Sequence, residues 1–100
     1  MKAYLVSPEN QQVDTIEINS LEDIVEQVGY DTLESDDVGD QGDRLYFDEE
    51  CFLRGTSGRF QIDKLIPVSG KGVVIGAHED GSLNDVSIAL DDLLARIQYL

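Results

Sequence analysis

The stretch VDTIEINSLEDIVEQVG, residues 13–29, changes its period midway, and that change decides the fold class. In Val13–Ile18 the side chains alternate, with Ile16 and Ile18 on one face and Thr15 and Glu17 on the other, which is the period of a strand. From Ser20 onward the apolar residues Leu21, Ile24, Val25 and Val28 fall at i, i+3, i+4 and i+7, a single helical stripe. Ser20 followed by Asp23 resembles a capping box with Asp in place of Glu, and Gly29 suits a C-cap. A strand running directly into an amphipathic helix sets the expectation of an α+β protein.

Working outward, Lys2–Ser7 (KAYLVS) is rich in β-formers, and Pro8-Glu9-Asn10 supplies a turn into Val13–Ile18, so the two segments are expected to form a hairpin. Tyr30–Leu33 reads as a short strand. Glu34–Asp43 (ESDDVGDQGD) reads as an acidic loop, because it is nearly all Gly, Ser and Asp. Arg44–Asp48 is expected as a strand, with Cys51–Arg54 as its returning partner. Gly55–Gly58 is a loop, and Arg59–Val68 a short strand or irregular edge around Pro67. Gly72–Ala77 (GVVIGA) is the clearest buried strand, and Glu79–Ser82 is a turn. The last segment, Ser87–Gln98, carries the stripe Leu90, Leu93, Leu94, Ile97 and reads as a second helix. The stripe of the first helix plus Tyr30 recurs there at a constant offset, but two amphipathic helices give that echo without any repeat. The expected architecture is one α+β domain over residues 1–100. Its sheet is small and mostly antiparallel, with both helices packed on one face.

The chain carries 21 acidic residues against 7 basic ones, a net charge of −14 in 100 residues. Between Glu9 and Asp43 there are twelve carboxylates and no Lys or Arg. Such a charge opposes compaction and keeps the protein in solution. It also argues against direct binding to nucleic acid or an anionic membrane. No apolar run approaches the roughly 18 residues of a membrane span, and Met1–Ser7 is too short for a signal peptide's apolar region. A single cysteine, Cys51, excludes an internal disulfide, so a cytoplasmic location is expected.

Few residues suggest chemistry. Cys51 and His78 are alone of their types, and nothing in the sequence brings them together as nucleophile and base. Glu49 and Glu50 beside Cys51 disfavour a thiolate. An enzyme would show a cavity holding Cys51 or His78. An EF-hand loop with Gly42 at its sixth position puts Gly39 and Gln41 where oxygen ligands belong, and one with Gly81 there begins at Gly76. Neither fits, and a solvated loop is preferred over loose cation binding in Glu34–Asp43. Gly70, Gly72 and Gly76 are spaced G-x-G-x-x-x-G, one residue too long for a dinucleotide loop, so a turn entering a strand is preferred. Arg54, Arg59, Lys64 and Lys71 around Gly55–Gly58 would suit an anion. With three acids per base, pairing of those arginines with the protein's own carboxylates is preferred. No catalytic residue, metal or cofactor is expected.

The acidic stretch itself is the remaining candidate. Carboxylates one turn apart on a helix sit about 5–6 Å apart, and alternate ones on a strand about 6.6 Å apart. Both resemble the spacing of phosphates along a nucleic-acid strand. Glu22, Asp23, Glu26, Asp31, Glu34, Asp36 and Asp37 are the residues expected to present such an array to a basic, nucleic-acid-binding protein. That reading requires the acids to form one continuous rigid face, joining the helix to Asp36, Asp37 and Asp40. The alternative is a small interaction or structural domain whose acidity serves solubility or a salty habitat, consistent with three lysines against thirteen Asp and eight Glu. An exposed strand edge would also allow two copies to pair.

The opening Met1–Asn10 (MKAYLVSPEN), the strand and helix Val13–Val28, the block Asp43–Glu50 (DRLYFDEE) and the close Gly70–Leu100 resemble small proteins of phages and bacterial mobile elements grouped as domain of unknown function family 3846. The resemblance spans nearly the whole chain and rests on order and pattern. It implies an accessory protein in a bacterial cytoplasm and transfers no catalytic residue. Members of that family carry Ser or Thr before the Leu that opens the last helix. Ala89 stands there instead, which implies a later helix start.

Overall fold

A computed structural model describes residues 1–100. Two segments expected as strands form as strands and pair as expected: β1 (Lys2–Ser7) and β2 (Gln12–Glu17) make an antiparallel hairpin with Ala3 opposite Ile16. α1 (Leu21–Val28) follows, ended by Gly29 at φ 95°, whose amide donates to the carbonyl of Val25. Glycine alone takes that left-handed cap without cost. Ser20 makes no side-chain cap; instead the Asp23 carboxylate accepts the amide of Asn19 at 2.8 Å, which is half of a capping box displaced by one residue.

The chain continues through β3 (Leu33–Val38), β4 (Asp43–Asp48), a 3₁₀ turn over Cys51–Leu53, β5 (Arg59–Ile62), β6 (Val68–Ser69), β7 (Gly72–Ala77), β8 (Leu83–Asn84), α2 (Leu90–Arg96) and β9 (Ile97–Tyr99). The large sheet runs β2-β1-β7-β4-β3, all antiparallel, with β8 added to β7. A smaller sheet runs β6-β5-β9. The all-apolar β7 lies at the centre of the large sheet and is buried along Gly72–Gly76. Gly76 is forced there, because a Cβ would lie 2.4 Å from the carbonyl oxygen of Asp85.

Strand alternation separates two cores. Tyr4, Val6, Leu45, Phe47 and Val74 point to one face, where Phe60, Ile62 and Val68 of the small sheet and Leu93 of α2 cover them. Ala3, Leu5, Val73 and Ile75 point to the other, where Ile24 and Val28 of α1 cover them. The α+β class and the antiparallel sheet are as expected, and each helix packs on a face of the sheet. The two helices take opposite faces, however, so the molecule is layered as α1, large sheet, then small sheet with α2. One sheet therefore serves two hydrophobic interfaces, which explains why β1 and β7 are apolar at nearly every position.

Four segments depart from the sequence expectation, the first being Tyr30–Leu33, of which only Leu33 is strand, as the start of β3. The acidic loop at residues 34–43 is not a loop: Leu33–Val38 is a full strand paired with β4, and only Gly39–Gly42 turns. β3 is an edge strand with one partner, and an edge tolerates the acidic residues that a central strand would exclude. Cys51–Arg54 forms no returning strand but a 3₁₀ turn that drops Cys51 into the core. The second helix does not span Ser87–Gln98. It starts at Leu90, with Ala89 as an N-cap that makes no side-chain hydrogen bond, and ends at Arg96. Ile97 and Tyr99 then leave the helix to pair with Ile62 and Phe60 of β5, where β-branched and aromatic side chains are favoured.

Candidate functional site

Six of the seven carboxylates singled out above divide between two elements. Glu22, Asp23 and Glu26 lie on α1, with Glu22 and Asp23 in its first turn, where the helix dipole stabilises negative charge. Asp31 sits exposed in the connection to β3. On β3, Glu34 and Asp36 alternate with Asp37. The register pairs Glu34 with Phe47 and Asp36 with Leu45, and both of those side chains belong to the core under the small sheet. Asp37 is opposite Arg44 and points to the α1 face. Arg44 binds it there through Nη1, while its Nε donates to Ser35 Oγ at 3.1 Å. The acids do not form a single flat face: they run along α1 and around the β3 edge, with Asp36 and Asp37 on opposite sides of the sheet.

What these carboxylates lack is a counter-charge. Of the 21 acids, only Glu17, Asp37, Asp48, Glu50 and Asp63 have a cation within 4.0 Å. Within the candidate set, Asp37 alone is paired. Of the two arginines expected to pair with the protein's own carboxylates, Arg54 does so, with Asp48 and Glu50, whereas Arg59 has no carboxylate within 4.0 Å and lies over the Phe52 ring; Arg96 pairs with Asp63. No group of three or more His, Cys, Asp or Glu side chains is arranged to hold a metal ion. No helix is long and apolar enough to cross a membrane.

Two buried aspartates were indistinguishable in sequence from the exposed ones. Asp43 accepts the amides of Ser87 and Ile88, at 2.7 and 2.9 Å, and so ties the approach to α2 onto β4. Asp48 accepts from Arg54 Nε at 2.9 Å, from Thr32 Oγ1 and from the Glu50 amide. Burial alone would raise the Asp48 carboxyl. The hydrogen bonds from Arg54, Thr32 and Glu50 outweigh it and hold the pKa below the ordinary value.

Asp48 and Arg54 also border a cavity of about 340 Å³ at one end of the large sheet. Its walls are the β1–β2 turn at Pro8–Asn10, the C-terminus of α1, the 3₁₀ segment, and the β6–β7 turn at Gly70-Lys71. The Gly55–Gly58 loop is pressed against the first of these. Gly58 has φ 82°, and a Cβ on it would lie 2.6 Å from the Glu9 amide nitrogen. Cys51 lines the cavity, as an enzyme would require, but it is only 4% exposed and its Sγ accepts the Ser69 amide at 3.5 Å. His78 lies beyond the far end of β7, about 20 Å away across six strand residues, so no nucleophile–base pair forms. The sequence pointed to Arg54 and Lys71 as neighbours of an anion loop. It carried no signal that Tyr30 and Asn10 would join them.

Comparison of the chain with family models, with curated proteins and with solved structures gives no match.

Proposed function

We propose that this protein acts by binding rather than catalysis, and that its unpaired carboxylates, on α1 and around the β3 edge, engage a basic protein; they do not make the one continuous face that nucleic-acid mimicry requires, because Glu34 and Asp36 lie on the side of the sheet opposite α1. The observation that carries this is the missing counter-charge. Six of the seven candidate carboxylates have no cationic partner in the molecule, so their field is available to an outside partner. Binding would release counterions from both surfaces and would weaken with salt. The resemblance to small phage and mobile-element proteins favours the same reading by association, in a bacterial cytoplasm.

A second reading has its own support. Both edges of the large sheet carry acids, Asp14 and Glu17 on β2 and Glu34, Asp36 and Asp37 on β3. Charge on an edge prevents pairing with other chains, so the acidity would serve as edge protection and solubility without a partner.

The test is capture from a bacterial lysate at about 50 and 500 mM salt, identified by mass spectrometry. The wild-type protein is compared with two neutralised variants: Glu22→Gln/Glu26→Gln/Glu34→Gln/Asp36→Asn, and Glu79→Gln/Asp80→Asn/Asp91→Asn as a control. One basic protein held at low salt, released at high salt and lost only with the first variant supports binding. Recovery of nothing, or equal loss in both variants, leaves the second reading.

A further inference from the structure

The cavity beside Arg54 carries a second inference, independent of the acidic surface. Arg54 is fixed within it. Its Nε and Nη2 donate to Asp48 and Thr32, its Nη2 lies 3.3 Å from Glu50, and its guanidinium stacks 4.2 Å from the Tyr30 ring centre. Its Nη1 has no partner. Lys71, which also lines the cavity, has no carboxylate within 4.0 Å, as is true of Lys2, Arg59 and Lys64. The same cavity is lined by the hydroxyls of Thr56 and Ser69, bonded to each other at 3.0 Å, and by those of Ser57 and Tyr30, which are unbonded.

The acceptors of the cavity are spent or marginal by comparison. Asp48 is saturated by Arg54, Thr32 and the Glu50 amide, and Glu9 and Glu26 are exposed at the rim. What the lining leaves unused is a set of donors: one guanidinium nitrogen, one ammonium and two hydroxyls, backed by an aromatic ring, with Lys71 and Ser57 exposed at the mouth as Glu9 and Glu26 are. A pocket of this size holds a small metabolite-sized molecule and no polymer.

We infer that this cavity binds a small organic anion, whose phosphate or carboxylate head lies between Lys71 and Arg54 and whose body lies against Tyr30. The head gains charge-assisted hydrogen bonds from an arginine already held in place, so little side-chain entropy is lost on binding. The strongly negative molecule opposes polyanions, which restricts the ligand to a head of one or two charges.

The test is titration of the 15N-labelled protein with phenyl phosphate and with benzoate, followed by amide and Arg Nε shifts. Lys71→Ala is the variant of choice, because Lys71 is exposed and makes no bond that folding needs. The expected result is saturable shifts at Ser57, Gly70, Lys71 and Arg54 Nε, weakened at least about tenfold in Lys71→Ala and unchanged in Lys64→Ala. Saturation with phenyl phosphate alone identifies a phosphate ligand, and with benzoate alone a carboxylate. Shifts that never saturate, that spread equally to Lys2 and Lys64, or that survive Lys71→Ala would overturn the site.

Discussion

Asp43 and Asp48 show that the same residue type plays opposite roles in this acidic chain. Most of its carboxylates face water, but these two are 2% and 3% exposed and act as internal acceptors. Asp43→Ala should cost about 2 kcal/mol in urea unfolding, because it strips the amides of Ser87 and Ile88 of their acceptor. Asp43→Asn keeps one acceptor oxygen and should cost less. Asp48 carries the pH dependence. Its folded pKa lies below the ordinary value despite burial, because the bonds from Arg54, Thr32 and Glu50 favour the charged form. Asp63 is lowered likewise, by its hydrogen bond to Arg96 against the opposing effect of burial. Stability from both is fully present above the unfolded carboxylate pKa and is lost as pH falls through the lowered folded values. Urea midpoints should therefore drop below about pH 4, and the drop should be shallower in Asp48→Asn, which has no proton to gain. Neither aspartate was legible in sequence. Asp43 lay at the end of an apparent loop, and its partners are more than forty residues away.

At the scale of elements, legibility followed hydrophobic period. β1, β4, β7 and α1 announced themselves because each buries an apolar face or stripe, and β2 through its half-buried Val13 and Ile16. β3 and β9 did not. β3 is a strand because β4 offers it a free edge and Arg44 reaches across to Ser35 and Asp37. β9 is one because β5 offers another edge to residues that also fit a helical stripe. In both, tertiary pairing overrides local preference. The candidate acids were legible as a cluster, but their division around an edge was not, since it depends on β3 being a strand at all. Charge on that edge predicts a behaviour. Replacing Glu34, Asp36 and Asp37 with Thr keeps or improves β-propensity while removing the repulsion between copies. The triple variant should remain folded by circular dichroism and should self-associate with concentration in analytical ultracentrifugation, where the wild type does not. A variant that stays as dispersed as the wild type would show that edge charge is not what prevents pairing. The Gly55–Gly58 loop belongs to the same scale. Gly58→Ala should destabilise by about 2–4 kcal/mol, since it combines a left-handed φ with a clash against the Pro8–Glu9 backbone.

For the molecule as a whole, size against screening length decides how the charge acts. The principal extents are 31 × 28 × 21 Å. At about 0.01 M salt the Debye length is roughly 30 Å, so every carboxylate repels every other across the whole protein. At about 1 M it is roughly 3 Å, and only direct pairs still interact. The favourable pairs Arg44–Asp37, Arg54–Asp48 and Arg96–Asp63 are in contact and survive screening, whereas the repulsions act between groups further apart and do not. Added salt therefore removes more repulsion than attraction, and the folded state gains. Tm should rise steadily between about 0.02 and 0.3 M NaCl and level off once the screening length falls below the roughly 6 Å between neighbouring carboxylates on a helix or strand. The shape of that curve separates the sources of acidity. A protein adapted to a salty habitat would lack a cooperative melting transition at the low end and continue to gain stability beyond 1 M. A protein whose acids serve an edge or a partner already folds at low salt, because two cores on one sheet hold it together without help from screening. Melting curves by circular dichroism at five salt concentrations would decide between them, and a Tm that fell with salt would show that contact ion pairs, not repulsion, dominate the electrostatics.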